Sequence, residues 1–113
     1  MREHWKFKIH YKGYPSTHRK VESVYCIDGL YIGASVHTRG RILAHFNGAL
    51  RRKHVNKQLQ EHLIKKHLSG EPIIVEMLSN NVFDESEWIQ KLNPKFNVSK
   101  ITYTNFILNL LSI

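Results

Sequence analysis

The 113-residue chain is 42% hydrophobic with a formal charge of +8, apolar enough for one compact core and no more. Its single cysteine, Cys26, excludes an intrachain disulfide and points to a reducing compartment such as the cytoplasm. Scattered histidines without a second Cys/His pair argue against structural zinc, the mixed residues 1–12 against a signal peptide, and the interrupted apolar tail against a membrane span.

In chain order, Trp5, Phe7, Ile9 and Tyr11 alternate with Lys6, Lys8, His10 and Lys12, the pattern of a strand. Its lysines suit either a row of phosphate contacts or the guarded edge of a sheet. The run from Val21 to Ser35 predicts a hairpin around Asp28-Gly29. A three-residue loop, Ile27-Asp28-Gly29, with Gly29 left-handed, puts Val24, Cys26, Leu30, Ile32 and Ala34 on one face. Ser23, Tyr25, Tyr31, Gly33 and Ser35 share the other face, with the two tyrosines side by side. Ile42, Leu43, Phe46 and Leu50 predict an amphipathic helix that Thr38 caps, with Arg41 and His45 one turn apart on its flank. A second helix is predicted from Asn56 to His67, with Leu59, Leu63 and Leu68 inward and Gly70 ending it. Residues 72–78 read as a strand. Asn80 or Asn81 is expected to cap a third helix ending near Leu92.

Charge is unevenly spread along these elements. Arg39, Arg41, Arg51, Arg52, Lys53, Lys57, Lys65 and Lys66 face only Glu61 between residues 39 and 69, whereas the chain from Gly70 onward is net acidic. A basic sector of this kind suits a phosphate backbone, and it equally suits a solvated surface.

On the third helix, Glu85 shares the apolar stripe of Trp88, Ile89 and Leu92 at i, i+3, i+4 and i+7, while Glu87 points elsewhere. A carboxylate on a core-facing stripe is costly unless a cation pairs with it or a metal binds it. Singly, Glu85, Arg41, His45, Tyr25, Tyr31 and Asn97 each have a bland structural reading. Their order does not.

Ser23-Val24-Tyr25, Tyr31-Ile32-Gly33, Arg41, His45, Glu85 and Asn97 together resemble the core of the GIY-YIG nucleases, from about residue 23 to 97. Ser23 stands where the family's first glycine is usual. His54 and Asn56–Gln60 resemble a second-helix motif of phage and intron-encoded members. The resemblance implies an α/β fold, a small, largely antiparallel sheet flanked by helices. Residues 1–22 would be an N-terminal extension and 98–113 a tail of one domain.

It also implies a Mg²⁺-dependent DNA endonuclease leaving 5′-phosphate and 3′-hydroxyl ends, with Mn²⁺ as an alternative ion. Glu85 would hold the metal and Arg41 the scissile phosphate. Tyr25 would activate water, Tyr31 would orient water or phosphate, and Asn97 would brace the site. His45, one turn from Arg41, is the natural acceptor of the tyrosine's proton, which leaves the essential base between Tyr25 and His45. Arg39, Arg51, Arg52, Lys53, His54, Lys57, Lys65 and Lys66 would bind the nucleic acid. Two other functions share these features, a nucleic-acid-binding regulator without cleavage and an RNA nuclease. The tail has its own pattern, with Phe106, Leu110 and Ile113 predicting a short helix that covers the domain's core or joins two copies as a homodimer.

Overall fold

A computed structural model describes residues 7–15 and 20–97, so Trp5 and the predicted tail helix lie outside the described residues. The fold is α/β. Strands β1 (Ile9–Lys12), β2 (Ser23–Ile27), β3 (Tyr31–Ser35) and β4 (Ile73–Ser79) form one mixed sheet in the order β1-β4-β2-β3. β1 runs parallel to β4, and the other two pairings are antiparallel. Residues assigned to an N-terminal extension thus supply an edge strand, on which Lys12 approaches Glu76 at 3.9 Å.

Helices α1 (Thr38–Leu50) and α2 (Lys57–Ser69) pack on one face of the sheet and α3 (Glu85–Leu92) on the other. Every residue of β2 is therefore buried. Tyr25 and Ile27 join Ile42, Phe46, Leu59, Leu63, Ile73 and Val75 in the larger core. Val24, Cys26 and Ile32 form the smaller one beneath Trp88 and Ile89.

The hairpin has the expected faces but not the expected register. Its loop is Asp28-Gly29-Leu30, and Tyr25 pairs with Gly33, not Tyr31. Asp28 explains the displacement. It sits at φ 51°, a conformation aspartate tolerates better than isoleucine. From there its carboxylate accepts the Ile74 N–H and bonds His62 Nε2, both at 2.8 Å. The pairing also lets the Tyr25 ring cross a residue without a side chain. A Cβ on Gly33 would collide with the Tyr25 hydroxyl and ring carbons. We expect Gly33→Ala to destabilise the fold by about 1–3 kcal/mol, the usual cost of an overpacked core. A denaturant melt checks this; an unchanged midpoint would show that the ring yields without cost.

The helices differ from expectation in what they bury. Thr38 does not cap α1: its hydroxyl donates to the Val21 carbonyl and also bonds Ser23, and His37 is the N-cap residue. The buried stripe of α1 is Thr38, Ile42, His45, Phe46 and Ala49, so Leu43 turns outward. In α2, Ile64 takes the inward place expected of Leu68, which is 79% exposed. Asn56 caps this helix by accepting the Leu59 N–H, and Gly70 ends it at φ 74°. Asn81 caps a short 3-10 turn, Val82–Asp84, which leads into α3. No helix among the described residues is long and apolar enough to cross a membrane.

Candidate active site

The first turns of α1 and the segment before α2 converge on the hairpin's tyrosines. Tyr31, Arg41, Ala44, His45, Gly48, Lys53, His54 and Val55 line a cleft of about 280 Å³. Five of these eight carry polar or charged groups, and Lys53 and Arg41 bring positive charge to its rim. Five residues expected at an active site therefore share one neighbourhood, because Tyr25 hydrogen-bonds His45 behind the cleft wall and Glu85 acts electrostatically on both tyrosines.

Behind that wall runs a chain of buried hydrogen bonds. The Tyr25 hydroxyl meets His45 Nε2 at 2.7 Å, and His45 Nδ1 meets His54 Nε2 at 2.7 Å. The two imidazoles meet edge to edge, their planes 20° apart and their centroids 4.9 Å apart. His54 Nδ1 in turn accepts the Asn56 backbone N–H at 2.9 Å. His54, expected among the nucleic-acid contacts, is 8% exposed and lines the cleft, with both ring nitrogens bonded inside the protein. The sequence signal was present in the nine-residue step from His45 to His54, which a helix and its following turn fold back on itself.

Burial governs the proton affinities here. It is the largest influence lowering His45, to about 3, ahead of His54 and Arg41. His54 is lowered too, by burial first and then by Arg41 and Lys57. Both rings are therefore held toward the neutral form. Tyr25 is pushed far above its ordinary value, by burial first, with Arg41 opposing through charge and a hydrogen bond. Tyr31 is raised by burial and then by Glu85, and lowered by Arg41.

Exposure separates the tyrosines. Tyr25 is 1% exposed, closed in by Gly33 and His45. Its oxygen, expected to activate water, lies behind the cleft wall against His45. Tyr31 lines the cleft beside Arg41.

Glu85 is 8% exposed at the first turn of α3, and Glu87 is exposed. Among the described residues no three His, Cys, Asp or Glu side chains are grouped to cage a metal. The donor set that remains, one buried carboxylate near two phenols, fits a hard cation such as Mg²⁺, which commonly takes one or two carboxylates and completes its shell with water and phosphate.

Asn97 reaches β3, not the cleft. Its Oδ1 accepts the Ile32 N–H at 2.7 Å and its Nδ2 donates to the Ile32 carbonyl at 2.8 Å. Phe96 bonds the Leu30 carbonyl through its N–H, and the Asn56 side chain donates to the Phe96 carbonyl. This strap holds the hairpin next to Tyr31 against the start of α2.

The other basic residues are spread over the surface. Arg52 pairs with Glu61 at 3.0 Å and Lys66 approaches Glu71 at 3.8 Å. Arg39, Arg51, Lys53, Lys57 and Lys65 are exposed and make no salt bridge among the described residues. Comparison of the chain with family models, curated proteins and solved structures finds no match.

Proposed function

We propose that this chain is a GIY-YIG nuclease that hydrolyses DNA phosphodiesters to 5′-phosphate and 3′-hydroxyl ends with Mg²⁺. The observation that carries the reading is the convergence of Tyr31, Arg41, His45 and His54 on one cleft, with Tyr25 hydrogen-bonded behind it. The hairpin, α1 and the turn before α2 bring an arginine, two phenols and two imidazoles together.

Phosphodiester hydrolysis needs a deprotonated water, charge stabilisation on the phosphorane and a neutralised leaving oxygen. Arg41, exposed at the cleft, presents a forked donor to two phosphate oxygens. Tyr31 is the phenol that meets water. Burial and Glu85 raise its proton affinity, so it must first shed its proton to solvent. As the water oxygen bonds phosphorus, the water's proton passes to the Tyr31 oxygen. The bond from phosphorus to the 3′-oxygen then breaks, and solvent returns a proton to that oxygen. A divalent cation held by Glu85 would supply positive charge that offsets this carboxylate's upward pull on Tyr31 and favours the phenolate. Asn97 works at one remove, by fixing the strand that carries Tyr31.

The deciding experiment is nicking of supercoiled plasmid in Mg²⁺ and in chelator, with DNA binding measured in parallel. Metal-dependent nicking with 3′-hydroxyl ends is expected. Binding without nicking would replace this reading with a nucleic-acid-binding regulator, and cleavage confined to RNA would replace the substrate.

Affinity for the backbone should come from the exposed bases. Lys53→Ala is expected to reduce the slope of log affinity against log salt by about 0.9, as for one lost phosphate contact. Arg52→Ala should reduce it less, because Glu61 already neutralises that guanidinium. Fluorescence anisotropy over a salt series measures both; equal slopes for Lys53→Ala and wild type would remove Lys53 from the interface.

A further inference from the structure

The direction of the buried hydrogen-bond chain follows from its inner end. Asn56 contributes a backbone N–H, which can only donate, so His54 Nδ1 carries a lone pair. A neutral His54 then has its hydrogen on Nε2, aimed at His45 Nδ1 at 2.7 Å. His45 Nδ1 must accept, which leaves the hydrogen of a neutral His45 on Nε2, facing the Tyr25 oxygen. Each ring is neutral because burial disfavours its charged form.

We propose that His54, oriented by the Asn56 backbone, fixes His45 as the Nε2–H tautomer, so that His45 donates to the Tyr25 oxygen and takes no proton from it.

The reverse arrangement fails at one identifiable place. If His45 accepted the Tyr25 hydrogen, its own would lie on Nδ1, and His54 would need a bare Nε2 and a hydrogen on Nδ1. That hydrogen would face the Asn56 N–H across a gap of 2.9 Å between nitrogens. The Asn56 peptide has little freedom to turn away. Its residue caps α2 through Oδ1, and its Nδ2 donates to the Phe96 carbonyl at 2.7 Å. On the other side, the His54 N–H is held by Gln60 Oε1 at 3.0 Å.

The consequence for Tyr25 is directional. Its hydroxyl hydrogen is turned away from the histidines, while its oxygen receives the His45 N–H and feels the positive charge of Arg41. Negative charge that builds on this phenol meets a donor already in place. His45 and His54 are positioning residues in this scheme, and the expectation that His45 is the proton acceptor is replaced. The tautomer stands on geometry alone; its effect on turnover rests on the nuclease reading.

Two measurements test this. In the ¹⁵N-labelled full chain, long-range nitrogen–proton spectra should show His45 with a protonated Nε2 and a bare Nδ1. A protonated Nδ1, alone or together with Nε2, would overturn the proposal without reference to any activity. The second measurement compares His54→Gln with His54→Glu in plasmid nicking. The glutamine amide still presents an N–H to His45, whereas an ionised glutamate presents only acceptors and draws the His45 hydrogen to Nδ1. Gln should stay within about tenfold of wild-type kcat, and Glu should lose on the order of 10² in kcat with KM little changed, as for a wrongly set imidazole or a lost donor. Equal kcat for the two variants would overturn the proposed role. If the glutamate variant does not fold, the wild-type spectrum decides. If the wild-type protein cleaves nothing, the nuclease reading falls and the spectrum still decides the tautomer.

Discussion

Glu85→Gln should abolish nicking, with a loss on the order of 10³ or more, while the protein still folds and binds DNA. The substitution keeps the shape of the side chain and removes the negative charge that would hold a divalent cation. Glu85 is 8% exposed, so the folded state of the variant has to be checked beside its activity. A melting temperature measured beside the nicking assay separates lost chemistry from lost structure. Glu87→Gln serves as the control two residues away, because that side chain is exposed. Equal loss of activity in the two variants would show that α3 delivers no particular carboxylate to the site.

Arg41→Lys should reduce turnover nearly as much as Arg41→Ala, by about 10²–10³, the usual effect of one donor to a transition state. Lysine keeps the charge and loses the planar fork. Arg41 is exposed, so neither variant should alter stability measurably. Single-turnover rates at saturating enzyme isolate the chemical step from binding. A lysine variant with nearly full activity would reduce Arg41 to a charge that steers DNA toward the cleft.

The sequence was most legible where periodicity and chemistry coincide. Glu85 stands out because it is a carboxylate on an apolar stripe, and the structure buries it. Gly70 is read correctly from the backbone requirement of a helix end. The α1 stripe was misread because Leu43 is apolar and His45 is not, whereas burial follows geometry plus satisfied polar atoms. His45 can lie inside because Tyr25 and His54 occupy its two nitrogens, and both partners are remote in sequence. For the same reason His54, flanked by Lys53 and Lys57, looked like a member of the basic surface. The hairpin register turned on Asp28, whose partners Ile74 and His62 lie 46 and 34 residues away. Local pattern has no access to bonds of that range.

The hold of Asn97 on Ile32 has a consequence beyond the cleft. A primary amide offers one donor and one acceptor side by side, as an extended residue does on the open side of a strand. On β3, the last strand of the sheet, it imitates one residue of a fifth strand and goes no further. The Ile32 peptide groups are thereby consumed at the second residue of a five-residue strand. Another chain seeking to extend the sheet by backbone pairing would first have to displace this amide. One asparagine thus does for this rim what lysine does for the opposite one, by occupying the hydrogen-bonding groups instead of repelling what approaches them.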